Sequence, residues 1–291
     1  MFSRLSTLGG ILVFKPLLWH NVSTAMKQKK TQVKTSWGHV AEWYHKLLAE
    51  GKDTYQKEVI LPHLLRLLAI KKGEYIVDLA CGQGFFSRAL YAHGAHVIGV
   101  DAASELIALA RQETANISPK AGIHALQFEV SAADHLPFIA SASVDKVLIV
   151  LAIQNIASAH RVFAECTRIL KPKGKLYMVL NHPSFRVPQS TSWGWDASHG
   201  VQYRRIDRYL SESKIKIQMH PGGNPHATTI SFHRPLQYYV KALGKSGLLV
   251  NDMEEWISHK KNEPGPKAEA ETLARKEIPL FLFLQAVKDG A

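Results

Sequence analysis

The chain has 291 residues, 46% of them hydrophobic, with a formal net charge of +12 at pH 7, which suits one large domain with a sizeable insertion and excludes global disorder. Its two cysteines, Cys81 and Cys166, lie far apart and exclude a disulfide scaffold or a paired-Cys zinc site; no apolar run reaches the roughly 20 residues that span a bilayer, because Lys15 interrupts the one candidate. The charge is concentrated, with six basic and no acidic residues in 1–34 and nine basic against three acidic in 182–245, a balance that suits a polyanion or a small anion.

Residues 1–34 read as a basic leader, either disordered or a mis-annotated start for which Met26 is the alternative. The domain is expected over 35–291, in the reducing cytoplasm. Trp37, Val40, Trp43, Tyr44 and Leu47 recur at helical spacing over 36–50, and Val59, Ile60, Leu64, Leu67 and Leu68 repeat that pattern over 56–70. A short strand at Tyr75–Val77 then runs into Asp78 and a glycine turn. Beyond it the chain alternates: helix 85–92, strand 96–100, helix 103–113, strand 126–130, strand 144–151, helix 157–170, strand 175–180. This alternation predicts a parallel sheet with helices on both faces. The pattern is lost over 182–232, an insert rich in Ser, Pro, Gly, His and Arg. It resumes with a helix at 235–244 and strands at 248–256 and 280–287. Residues 259–277, with Pro264 and Pro266, are expected as a mobile loop or a charged helix.

The turn Asp78-Leu79-Ala80-Cys81-Gly82-Gln83-Gly84 follows a strand and opens a helix, where glycine lets the chain bend and a ligand approach. Asp101 ends the next strand, placed to accept hydrogen bonds from a ribose. A dinucleotide site wants a third glycine for its pyrophosphate; here Phe86-Ser87 follows Gly84. Asp78 would repel a pyrophosphate and suits a cofactor carrying an ammonium.

The loop Asp78–Gly84 resembles the first motif of the class I S-adenosylmethionine-dependent methyltransferases. The segments Ser131–Phe138, Ser143–Val147 and Leu170–Lys175 are similar to that family's adenine-side loop and to its approaches to strands four and five. The resemblance covers about 36–181 and 233–288. It implies a Rossmann-like, doubly wound seven-stranded sheet, mostly parallel with a reversed last strand, an N-terminal helical cap and an insert after strand five. It also implies S-adenosylmethionine as cofactor. The backbone of Ala80, Gly82 and Gly84 would lie against it, Asp78 would orient its ammonium, Asp101 would take the ribose hydroxyls, and Ala102 and Ala133 would flank the adenine. Many relatives carry an acid at the place of Ala132. Here the nearest acid is Asp134, read as an adenine contact or as a turn cap.

The substrate elements are expected to be the N-terminal helices and the insert. By position and pKa range His182 is the first candidate base, with His233 second; the competing reading for both is a structural histidine. Arg186, Arg204, Arg205 and Arg208 are candidates to clamp a carboxylate or phosphate, Arg234 is a second candidate for substrate contact or else a cap, Trp193 is a candidate to stack on a flat substrate, and Tyr44 to cover the cofactor. No metal spacing is convincing, His220 and His226 included. The sequence therefore points to methyl transfer onto a small acidic or aromatic metabolite. The alternatives are an RNA methyltransferase using the basic insert and tail, and a cofactor-binding scaffold without catalysis. No membrane partner is expected.

Overall fold

The structure is a computed structural model that describes residues 35–51, 53–117, 125–219 and 227–290. The leader and the pair His220 and His226 lie outside these residues. The described residues form one compact unit. Its first helix, α1 (Ala41–Glu50), follows a short 3-10 turn, and a π-helical turn at Gln56–Ile60 runs directly into α2 (Leu61–Leu68). Of the expected apolar stripe in α1, Leu47 is exposed and Leu48 is buried instead.

The chain then alternates as its periodicity predicts: β1 (Tyr75–Leu79), α3 (Phe85–Ala92), β2 (His96–Asp101), α4 (Ser104–Thr114), β3 (Leu126–Val130), β4 (Val144–Val150), α5 (Ala159–Ile169) and β5 (Leu170–Asn181). The strands that read as nearly continuous apolar runs, such as Tyr-Ile-Val-Asp-Leu in β1, are buried on both faces, as a parallel sheet covered by helices requires. β5 begins at Leu170, five residues before the expected start at Lys175.

The insert is not irregular. It holds β6 (Thr191–Asp196) and β7 (Val201–Ile206), one antiparallel hairpin, then β8 (Ser213–Gln218) and β9 (Thr228–His233), a second antiparallel pair. In β8 the lysines Lys214 and Lys216 face solvent while Ile215 and Ile217 turn inward. The chain closes with α6 (Leu236–Lys245), β10 (Leu248–Trp256), α7 (Ala268–Glu277) and β11 (Phe281–Lys288). α7 is the charged-helix alternative for the polar stretch. Among the described residues no helix is long and apolar enough to cross a membrane.

Seven strands form the main sheet in the order β10-β11-β5-β4-β1-β2-β3. β11 runs antiparallel to both neighbours, so β10 is parallel to the rest and only the last strand is reversed. One core packs α2 and α3 against β1 and the aromatic pair Trp256 and Phe283. On the other side Ile107 and Ala110 of α4 pack on Phe128 and Cys81. Strand order reverses between β1 and β4, so the connections leaving their carboxyl ends diverge and open a crevice there.

Candidate active site

The bend after β1 uses three left-handed residues: Ala80 (φ 56°), Gly82 (φ 58°) and Gly84 (φ 79°). Ala80 adopts this conformation although its Cβ disfavours it, a strain of the kind that clusters at functional sites. The two glycines are needed for different reasons. A Cβ on Gly84 would lie 2.7 Å from the Phe128 ring, so this position serves packing. A Cβ on Gly82 would meet only the Tyr44 ring, at 3.5 Å, so it would project into the space between bend and helical cap. Arg88 of α3 clamps the bend from below, donating to the Gln83 carbonyl and to Gln83 Oε1, both at 2.6 Å.

Asp101, at the end of β2, turns toward this bend. Its Oδ2 accepts the Gly82 N–H at 2.9 Å and its Oδ1 the Ala103 N–H at 2.8 Å. Burial pushes its pKa up, opposed by the amides of Ala103, Gly82 and Ala102. Asp78 is 1% exposed and accepts the Ser87 hydroxyl at 2.6 Å. Its pKa is pushed up to about 7 by burial, the Ser87 hydrogen bond opposing and the charge of Asp101 adding; no cation is among the groups acting on it. Tyr44 leans over both acids. Its phenol is pushed up to about 12, first by burial and further by Asp101 and Asp78, against a hydrogen bond with Gln56.

The loop after β3 forms the third wall. Ser131 N–H donates to the Asp101 carbonyl at 3.0 Å and His135 N–H to the Ala132 carbonyl at 3.1 Å, which places Ala133 and Asp134 on a turn. Among the described residues Asp134 makes no hydrogen bond or ion pair, so it does not cap that turn. Glu165 of α5 accepts the Leu136 N–H at 2.7 Å and is held by Arg168, which also donates to the carbonyls of Leu136 and Ile139. The bend therefore meets two carboxylates, Asp78 and Asp101, and among the described residues neither is paired with a cation. That donor set fits a nucleoside carrying an ammonium and disfavours a pyrophosphate.

At the carboxyl end of β5 the residues expected to carry chemistry turn out to hold the fold. His182 is 3% exposed. Its Nδ1 faces the backbone N–H groups of Ser184 (3.2 Å) and Phe185 (3.4 Å), so it must accept, and the proton sits on Nε2, which donates to Glu255 at 2.6 Å. Burial lowers its pKa, with Glu255 opposing. With both nitrogens committed it is not the free base expected from sequence. His233 is buried and donates from Nε2 to the Tyr209 carbonyl at 2.7 Å. Arg234, 4% exposed, donates to the carbonyls of Ile153, Ile156 and Ala157 and stacks on Phe232 and Tyr238. It staples β9 and α6 to the loop after β4 and offers no anion clamp. Arg205 is an exposed residue ion-paired to Asp207 at 3.0 Å. Trp193 is 42% exposed and carries the Arg204 guanidinium 5.0 Å from its ring centre, so it is packed against an arginine of its own hairpin. Among the described residues the Arg186 and Arg208 side chains make no hydrogen bond or ion pair, and of the two only Arg186 lies in the turn that leaves β5.

Sequence reasoning missed Arg88, Glu165, Arg168 and Glu255 among the residues that hold these loops, and it read Arg204 as an anion clamp where the structure has it bracing the Phe185 carbonyl and Thr191. Arg88 acts locally on Gln83, whereas Glu165, Arg168 and Glu255 reach partners about 30 to 70 residues away, which no local spacing announces. Among the described residues no group of His, Cys, Asp and Glu is suited to a metal ion.

Comparison with known proteins agrees with this geometry. A methyltransferase-domain family model matches residues 77–178, the span from β1 through most of β5. The chain is 30% identical over 154 residues to a demethylmenaquinone methyltransferase of Clavibacter sepedonicus, covering 52% of this chain and 58% of that protein. It is 28% identical over 177 residues to the biotin biosynthesis bifunctional protein BioHC of Cellvibrio japonicus, covering 58% of this chain and 33% of that one. The chain thus spans between a third and three fifths of the length of these relatives. Among solved structures, an S-adenosylmethionine-dependent methyltransferase from Mesorhizobium loti superposes with a TM-score of 0.63 at 28% identity, covering 80% of this chain and 100% of that one.

Proposed function

Because the chain belongs to the class I S-adenosylmethionine-dependent methyltransferase family, we propose that it transfers a methyl group from S-adenosylmethionine to a small acidic or aromatic molecule held at the carboxyl rim of its sheet. The observation that carries this reading is the pairing of Asp101 with the Gly82 amide across the bend, beside a second buried acid, Asp78. In this reading Asp101 accepts the ribose hydroxyls with the lone pairs its backbone partners leave free. Asp78 faces the ammonium, and an ionised Asp78 is favoured by that charge. Ala102 and Ala133 flank the adenine, and Asp134, free of other bonds, accepts from its amine. The backbone of Ala80, Gly82 and Gly84 forms the floor and Tyr44 the cover.

When bound, the cofactor supplies a methyl carbon on a sulfonium, whose S–C bond breaks with its electron pair returning to sulfur as a lone pair of the acceptor bonds to carbon. The protein's work is to orient that acceptor and exclude water, which is worth up to roughly 7–11 kcal/mol of barrier. With His182 and His233 committed to the fold, an acceptor that arrives already deprotonated needs no base from these positions. The insert 182–232 and the helical cap supply the substrate side. By their names, one relative is a demethylmenaquinone methyltransferase and the other a biotin biosynthesis protein, which supports a small molecule. The two buried free cysteines accord with a reducing compartment, the cytoplasm.

RNA is the alternative acceptor, favoured by the exposed lysines of β8. Incubation with S-adenosylmethionine labelled in its methyl group, followed by fractionation of the extract into metabolites, RNA and protein, tests the proposal. Label in a small-molecule fraction is the expected result. Label in RNA transfers the reading to the alternative, and cofactor binding without label in any fraction supports a non-catalytic scaffold.

A further inference from the structure

The turn that leaves β5 is braced throughout, and the bracing ends at the Arg186 guanidinium. His182 N–H donates to the Leu280 carbonyl at 2.8 Å and Arg186 N–H to the His182 carbonyl at 2.9 Å. The His182 imidazole receives the next two amides, while Glu255 fixes its tautomer. Arg204 reaches over from β7, with Nε donating to the Phe185 carbonyl at 3.0 Å and its terminal nitrogen to Thr191 Oγ1 at 2.7 Å. Val187, the next residue, is buried. The backbone that carries Arg186 is therefore held from four sides.

The Arg186 side chain is not. Among the described residues it makes no hydrogen bond or ion pair, and it lies over the Phe281 ring, 6.0 Å from its centre. Tyr55 packs edge-on against that same ring at 5.5 Å. The titratable neighbours it feels are Tyr55 and the like-charged Arg204, with no carboxylate among them, and burial lowers its pKa. A half-buried guanidinium beside a second one, with no counter-charge, is unfavourable on its own. An anion from outside the chain relieves it, and the planar fork of arginine matches a carboxylate or phosphate with two parallel bonds. The position is also apt. Phe281 pairs with Asn181 at the carboxyl end of β5, the end of the sheet at which the glycine bend and Asp101 lie.

We infer that Arg186 is the specificity-determining anchor for an anionic group on the substrate, with the buried Phe281 ring as the platform on which its guanidinium rests. His182 and Glu255 are positioning residues for this anchor. The inference rests on the methyl-transfer reading of the site, but its test is separable from that reading.

The test uses the full chain saturated with S-adenosylhomocysteine and titrated calorimetrically with benzoate, phenyl phosphate and the neutral isostere benzamide. Wild type is expected to bind benzoate or phenyl phosphate roughly 10- to 100-fold more tightly than benzamide; which of the two anions wins tells carboxylate from phosphate. Arg186→Gln is expected to abolish the preference while its affinity for S-adenosylhomocysteine stays at the wild-type value. Arg186→Lys, which keeps the charge and loses the fork, is expected to retain only part of it. A wild type that does not favour either anion overturns the inference, as does an Arg186→Gln or Arg186→Lys variant with the full wild-type preference. Failure of wild type to bind S-adenosylhomocysteine contradicts the methyl-transfer reading instead.

Discussion

Asp78 sets stability against binding. The carboxyl is 1% exposed and burial raises its pKa from an ordinary 3.8 to about 7. A carboxyl whose folded value lies above its unfolded one contributes stability that is complete below the unfolded value and is lost as pH rises through the folded value. The window here runs from about pH 4 to about pH 7, and a shift of about three units corresponds to a ceiling of about 4 kcal/mol. Asp78→Asn stays neutral at every pH, and its side-chain oxygen still accepts from Ser87. The variant is therefore expected to be more stable than wild type at pH 8, by up to about 4 kcal/mol or roughly 5–10 °C in Tm, with the difference vanishing near pH 4. Cofactor binding moves the other way. An ammonium favours the ionised carboxylate, so binding of S-adenosylhomocysteine near pH 6.5 releases a proton, and Asp78→Asn binds about tenfold or more weakly. Thermal denaturation at pH 4, 6 and 8, with calorimetry in two buffers of different ionisation enthalpy, reads both effects. A variant no more stable than wild type at pH 8, or one that binds the ligand as tightly, would refute the reasoning.

Asp101→Ala removes the acceptor of the Gly82 and Ala103 amides and is expected to weaken S-adenosylhomocysteine binding by roughly 10- to 100-fold with the fold retained, measured by calorimetry beside circular dichroism. Gly84→Ala places a methyl 2.7 Å from the Phe128 ring at a φ of 79°; strain and overpacking predict a loss of about 2–4 kcal/mol in denaturant unfolding. Arg234→Met strands three carbonyl acceptors and is expected to lower stability by about 2–4 kcal/mol while leaving the affinity for S-adenosylhomocysteine unchanged in what remains folded; a selective loss of substrate binding at full stability would restore Arg234 as a substrate contact.

The parts of the fold with short-range causes were legible. Apolar runs of five to seven residues separated by amphipathic helices mark a covered parallel sheet, and the bend from Asp78 to Gly84 followed by Asp101 marks the crevice. The insert was misread because its strands are narrow, half-exposed hairpins. The alternation Lys214-Ile215-Lys216-Ile217 was present in the sequence and is the signal that finds β8. The substrate side was less legible for a physical reason. A histidine or arginine at a rim looks the same in sequence whether its partner is a ligand or a carbonyl distant in the chain. Arg234 proved to belong to the backbone of 153–157, and His182 to its own turn and to Glu255. Arg186, two residues from Pro and Ser in an irregular stretch, differs from them only in what it does not touch.

The central claim is that the space above Gly82, between the bend and Tyr44, receives the cofactor. Calorimetric titration of S-adenosylmethionine into wild type and into Gly82→Val tests it directly, because a side chain at Gly82 would project into that space without striking the packed core. Saturable one-to-one binding by wild type, lost in a variant that keeps its cooperative unfolding transition, is the predicted result. Equal binding by both proteins, or none by wild type, would contradict the account.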